Sequence, residues 1–255
     1  MKHNVLSVKE SSEIILNKIK SKEIFTYVRF GDGDFIMMYK DTIGNIVGHS
    51  NRFKVTEKLQ GELVESYNTD DENYLIGSTI NDFSEHSTHN NIKVDKLTHL
   101  KNKKEVLSYI CLQETFLNDI GYFYDIVKEM KQTSTMFVSN YNHDVLNNFY
   151  GDIKYHVKVP KQNSYENIDS WYQEIIKNID NVDKIILSSG QSSRVIAKRL
   201  YESGYKKTII DVGALSDMLI IHTEIINNIP LRSHIKNNRE LIKNNVDYLL
   251  KKIKE

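Results

Sequence analysis

Lys184-Ile185-Ile186-Leu187-Ser188-Ser189-Gly190-Gln191-Ser192-Ser193 reads as an apolar strand that runs into a loop of small residues and then opens a helix. The helix is expected over residues 192–203, with Gly204 just past it as a C-terminal cap, and a second apolar strand over 208–212 ends in Asp211-Val212-Gly213. A strand, a helix and a second strand at this spacing form a βαβ unit, which requires parallel strands. Working outward, strands are expected over 136–139 and 155–159, with helical stretches over 144–150 and 170–179 between them. The alternation makes the chain α/β, with a mostly parallel, Rossmann-like sheet.

Upstream, Ser7-Val8-Lys9-Glu10 is a capping-box pattern, and the apolar-periodic run behind it predicts a helix up to Lys20. Residues 24–30, rich in β-branched and aromatic side chains, predict a strand that Gly31-Asp32-Gly33-Asp34 ends as a turn, with a helix beginning over 35–39. The middle reads as a helix over 55–67, a strand over 74–77, a polar loop through 86–91 and a helix over 104–118. Residues 234–255 read as an amphipathic helix with Leu241, Val246, Leu249, Leu250 and Ile253 near one face and a basic opposite face. A solvated helix docked by its apolar side is the favoured reading, with peripheral membrane contact as the alternative.

At 255 residues the chain suits one domain, with a core over about 24–213 and the C-terminal helix as an extension. Hydrophobic residues at 40% and charged residues at 27% are enough for a buried core and exclude a disordered or fibrous chain. Lys+Arg and Asp+Glu both number 34, and this zero balance removes any global electrostatic case for nucleic-acid binding. Cys111 is alone, so neither an internal disulfide nor a cysteine zinc site can form, and it is expected in the core. The start is too polar for a signal peptide and no apolar run reaches the ~18 residues of a membrane span, so a cytoplasmic location is expected.

Three clusters could carry chemistry. In Arg29-Phe30-Gly31-Asp32-Gly33-Asp34, two carboxylates at i and i+2 after a strand could turn toward one hard cation, and the glycines would admit a diphosphate close to the backbone. The cation would then neutralise a departing diphosphate as a Lewis acid, with Arg29 adding a fixed charge. A plain turn is the competing reading, and Asp70/Glu72 repeats the spacing in a solvated loop. Gly190, Gln191, Ser192 and Ser193 lie at a helix N-terminus, where unpaired backbone N–H groups attract anions; Ser and Gly also serve there as ordinary caps. Asp211 could bind a sugar hydroxyl, act as a base or cap the next helix. Glu85, His86 and His89 are weak metal candidates in a polar stretch, and most of the 15 tyrosines are expected to be core residues.

The strand running into Arg-Phe-Gly-Asp-Gly-acid, together with the C-terminal strand, Gly loop, helix, Gly-Tyr and strand ending in Asp-x-Gly, resembles the GT-D fold glycosyltransferases, a bacterial family once catalogued as a domain of unknown function. The blocks are 28–35, 157–164 with its Pro160-x-x-Asn163-Ser164 turn, and 187–213, where Gly190, Ala197, Leu200, Gly204, Tyr205, Asp211 and Gly213 fall in register. The resemblance implies a single GT-D type domain that uses Mn2+ or Mg2+ and a nucleoside-diphosphate sugar, such as a UDP-sugar, to glycosylate a glycan or glycoprotein. Carried onto this chain, Asp32 and Asp34 would hold the metal and Asp34 and Asp211 would be catalytic. Arg29, Gly31, Asp32, Gly33, Gly190, Gln191, Ser192 and Ser193 would bind the nucleotide sugar. The chain departs from the pattern at Asp34, where the family has Glu, at Gln191, where proline is common, and at Ala214-Leu215-Ser216-Asp217, where the family carries a histidine and further acids. A sugar-phosphate isomerase or related phosphosugar-binding domain, suggested by the serine-rich loop, and a non-catalytic nucleotide-binding module are the alternatives.

Overall fold

The computed structural model describes residues 4–39, 54–79, 99–101, 103–224, 226 and 233–255. Eight strands form one sheet: β1 (Asn4–Val5), β2 (Thr26–Phe30), β3 (Tyr74–Ser78), β4 (Glu105–Ser108), β5 (Thr135–Ser139), β6 (Ile153–Lys158), β7 (Lys184–Ser188) and β8 (Thr208–Asp211). Their order is β1-β4-β3-β2-β8-β7-β5-β6, and every pairing is parallel. Parallel strands need crossovers, and helices supply them on both faces of the sheet.

Side chains along each strand alternate between the two faces. Val28 and Phe30 of β2, Met136 and Val138 of β5, and Ile185 and Leu187 of β7 join one core, with the helices Glu57–Asn68, Ile168–Asn178 and Ser192–Glu202. Tyr27, Phe137, Ile186 and Ile210 join the other, with the helices Val8–Lys20, Cys111–Asn118, Ile120–Met130, Leu215–Leu219 and Arg239–Lys254. The result is a three-layer α/β/α domain. The capping box forms as read: Glu10 N–H donates to Ser7 Oγ at 3.2 Å, and Ser7 N–H donates to Glu10 Oε2 at 2.9 Å. Gly204 takes a left-handed φ of 74° behind the helix Ser192–Glu202.

The structure differs from the sequence reading in five places. Residues 104–118 are a strand, β4, followed by the helix Cys111–Asn118; Val106 and Leu107 face opposite cores, and pairing between β1 and β3 overrides the helix-forming composition. The helix Ile120–Met130 and the edge strand β1 were absent from that reading. The C-terminal segment is two helices, Ser233–Asn237 and Arg239–Lys254, and Leu241 is 41% exposed while Ile242, Val246 and Leu249 face the core. Finally, the helix after β2 is Asp32–Met37, beginning at the first aspartate. The loop 86–91, with His86 and His89, and Glu85 lie outside the described residues.

Candidate active site

β2 and β8 are neighbours at the middle of the sheet, and β7 lies beside β8. The chain leaves β2 toward the helix Glu57–Asn68 on one face and leaves β8 toward the helix Leu215–Leu219 on the other. Connections diverging from adjacent parallel strands open a crevice at their carboxyl ends, where open α/β sheets bind ligands. Gly31–Asp34, Asp211–Gly213 and Ser188–Ser193, read separately in the sequence, meet at this crevice.

They are joined by two buried guanidiniums. Arg194, 4% exposed, lies on the helix Ser192–Glu202; its Nη2 is 3.1 Å from Asp34 Oδ2 and its Nη1 is 3.1 Å from Asp211 Oδ2. Arg29 Nε is 4.0 Å from Asp211 Oδ1, its Nη1 donates to the Tyr109 carbonyl at 3.4 Å, and its guanidinium lies 4.6 Å from the Tyr109 ring centroid. Two cations thus face two anions, which is the condition for burying either. Burial alone would lower the Arg194 pKa, but Asp211 and Asp34 carry it above its ordinary value. For Asp34, burial pushes the carboxyl up, opposed by Arg194 and by the Gly31 N–H.

Local sequence explains the packing. Asp34, 2% exposed, reaches back so that its Oδ2 accepts from the Gly31 N–H at 2.9 Å, capping the helix it belongs to. Asp211, fully enclosed, accepts from the Gly213 N–H at 3.1 Å through Oδ1. Gly213 has a left-handed φ of 49°, and a Cβ there would stand 1.9 Å from Arg29 Nη2, so a side chain is excluded by both backbone and space. A Cβ on Gly31 would lie 2.7 Å from the Tyr109 ring.

Because Asp32 and Asp34 sit in the first turn of a helix, their side chains point about 160° apart. Asp34 turns inward to Arg194. Asp32 is exposed at the mouth, where its Oδ1 accepts from Thr79 Oγ1 at 3.2 Å. Asp34 Oδ1 is buried without a hydrogen-bond partner, yet it is enclosed, and among the described residues no group of three or more His, Cys, Asp or Glu side chains surrounds a common point. The donor set therefore suits a cation held by Asp32 and completed by phosphate oxygens and water, as Mg2+ commonly is, rather than one gripped by both aspartates.

The Gly190 loop divides similarly. Gly190 is exposed with φ 66°, and Gln191 is half-buried, its Nε2 3.5 Å from where a Cβ on Gly33 would sit. Ser192 and Ser193 are both enclosed: Ser192 Oγ bonds Ser164 Oγ at 2.7 Å, and Ser193 Oγ bonds Ser189 Oγ at 2.8 Å and accepts from the Ser189 N–H at 3.1 Å. Their hydroxyls hold the loop shape. Ser164 follows Asn163, which is left-handed at φ 48°, so the Pro160–Ser164 turn braces the helix that carries Arg194.

Sequence reading passed over Arg194, Tyr109, Thr79 and the hydrogen bond from Tyr141 to Asp217 Oδ1 at 2.7 Å. Arg194 left a signal: a cation in the first turn of a helix, followed by Val195-Ile196-Ala197, stands where a cation is disfavoured unless carboxylates face it.

No protein-family model matches the chain, and no curated protein does. Solved structures do match. One is a glycosyltransferase of the domain of unknown function 1792 from Streptococcus sanguinis, with a TM-score of 0.66 and 18% identity over 90% of this chain and 88% of that one. A second structure of that domain, described as a distinct glycosyltransferase fold, has a TM-score of 0.62 and 19% identity over 90% of this chain and 85% of that one. A third, of the same domain, has a TM-score of 0.65 and 20% identity with the same coverage. What is shared at these identities is the fold, and it is the fold that the resemblance implied.

Proposed function

We propose that the chain is a metal-dependent glycosyltransferase that takes a sugar from a nucleoside-diphosphate sugar, UDP-sugars being the first to test, and passes it to a hydroxyl of a glycan or glycoprotein. The observation that carries the reading is the meeting of Asp32, the Gly31–Gly33 backbone and the Gly190–Gln191 helix start at one crevice of a glycosyltransferase fold. Asp32 would hold Mn2+ or Mg2+ together with the diphosphate. When bound, the cation would neutralise charge on the leaving diphosphate.

The chain's own residues do the rest. At the start of the helix Ser192–Glu202 the Ser193 N–H donates to the Gly190 carbonyl at 3.0 Å and the Arg194 N–H to the Gln191 carbonyl at 3.1 Å, which leaves the Gln191 and Ser192 N–H groups to bind a phosphate oxygen. Gly33 leaves room beside Gln191 for the diphosphate to approach the backbone. Arg29, Asp34 and Asp211 are enclosed, so in this reading they shape the crevice wall and set its charge. The phosphosugar-isomerase alternative was suggested by the serine-rich loop, in which the hydroxyls of Ser189, Ser192 and Ser193 are engaged within the protein. Among the described residues no helix is long and apolar enough to cross a membrane, and the apolar side of the C-terminal helix is docked on the domain, which leaves only its exposed face for peripheral contact.

A thermal-shift panel tests the reading. Nucleoside diphosphates should stabilise the protein more with Mn2+ or Mg2+ than without them, and a nucleotide sugar should be consumed in the presence of either cation. Stabilisation by phosphosugars without metal would favour an isomerase-like site, and nucleotide binding without sugar transfer or hydrolysis a non-catalytic module.

A further inference from the structure

Gly190 and Asp34 are brought together by the same guanidinium. Arg194 Nη1 donates to the Gly190 carbonyl and Nη2 donates to Asp34 Oδ2 at 3.1 Å, while Nη1 also faces Asp211. Within a trans peptide the C=O and the following N–H point in opposite directions. The Gly190 carbonyl is held inward by the Arg194 guanidinium together with the Ser193 N–H, which donates to it at 3.0 Å, and the left-handed φ of 66° lets the backbone turn that way. The Gln191 N–H of the same peptide must then point outward, toward the crevice, on the side where Gly190 is exposed.

We infer that Arg194 is the positioning residue of this site: it orients the Gly190–Gln191 peptide so that the Gln191 N–H meets a phosphate oxygen of a nucleoside diphosphate, and it fixes the Gly31–Asp34 turn beside it. The inference rests on the nucleotide-sugar reading for the identity of the ligand. Its own content is the coupling of two loops through one buried side chain. Arg194 does not itself bind the phosphate, because it is enclosed and both of its terminal nitrogens are engaged by Asp34, Asp211 and Gly190. The two carboxylates also explain why a cation persists in the first turn of a helix, where the dipole opposes it.

Hydrogen exchange and UDP titration on wild type, Arg194→Met and Arg194→Lys test the inference. In Arg194→Met, the hydrogen-bonded N–H groups of both 31–35 (Gly31, Asp34, Phe35) and 189–193 (Ser189, Ser193) should exchange faster while those of β5 and β6 keep wild-type rates. Arg194→Lys, which can keep one of the hydrogen bonds, should fall between. Metal-free UDP should bind Arg194→Met about tenfold more weakly, the loss expected for one hydrogen bond to a charged group. Unchanged exchange in either segment would overturn the coupling, as would unchanged UDP affinity in Arg194→Met. If Arg194→Met does not fold, the Lys variant decides by the same two readouts. If wild type binds no UDP with or without Mn2+, the nucleotide reading fails on its own, and the exchange measurement still decides whether Arg194 orders both loops.

Discussion

Arg194 Nη2 lies 3.1 Å from Asp34 Oδ2, a bond between residues 160 positions apart in the chain, and both side chains are buried. It ties the acidic turn after β2 to the helix after β7, and it gives the two aspartates of Asp32-Gly33-Asp34 different tasks. One faces inward as a helix cap and ion-pair partner, and the other faces out.

That division predicts different costs. Asp34→Ala removes one partner of a buried ion pair and the acceptor for the Gly31 N–H, and should lower stability by about 3–5 kcal/mol. Asp34→Asn keeps a capping acceptor and should lose less. Asp32→Asn, at an exposed site, should stay within about 0.5 kcal/mol of wild type. Urea denaturation of the three variants checks the ranking, and equal losses for Asp32→Asn and Asp34→Ala would show that the aspartates are not divided in this way.

Gly213 and Gly204 separate backbone strain from crowding. Both have positive φ, so alanine at either position should cost about 1–3 kcal/mol from the backbone alone. A Cβ at Gly204 meets nothing within 4 Å, whereas at Gly213 it displaces the Arg29 guanidinium. Gly213→Ala should therefore be the less stable protein and should also lose nucleotide binding, while Gly204→Ala should retain it. Thermal unfolding with a UDP titration checks the pair.

Lys184 lies at the opposite end of β7, 4% exposed, with Nζ donating to the Met130 and Thr133 carbonyls at 2.7 and 2.9 Å and to Thr133 Oγ1 at 2.7 Å. Burial pulls its pKa from 10.5 down to about 7. Between those values the unfolded chain binds a proton that the folded chain has released, so this group makes stability rise as pH goes from about 7 toward 10.5. Below about 7 both states are protonated and its contribution is flat. Urea midpoints at pH 6, 7, 8 and 9 should show that slope in wild type and a shallower one in Lys184→Met.

The C-terminal helix offers a test of its docking. Leu249 is enclosed, and Leu249→Ala should cost about 2–5 kcal/mol. Leu241→Ala, at a 41% exposed position, should be close to neutral. Reversal of this order in urea denaturation would mean that the helix packs through its other face.

Strands β5, β7 and β8 and their crossover helices were legible because parallel strands buried on both faces carry continuous apolar runs, as in Ile185-Ile186-Leu187 and Ile209-Ile210. β4 was not, since Glu105-Val106-Leu107-Ser108 is a strand only through its neighbours. Both halves of the candidate site were visible as Gly31–Asp34 and Gly190–Ser193. Their direction was not visible, because a turn and the first turn of a helix place i and i+2 side chains differently, and Asp32 begins a helix. Arg194 stayed hidden because its carboxylate partners come from the helix start after β2 and from the end of β8, which only the sheet order brings beside it.

Calorimetric titration of UDP into wild type and Asp32→Asn, each with and without Mn2+, tests the central claim most directly. Wild type should bind UDP more tightly when Mn2+ is present, and Asp32→Asn should lose that gain while keeping its metal-free affinity and its fold. An equal Mn2+ gain in both proteins, or no UDP binding by wild type under either condition, would contradict the account.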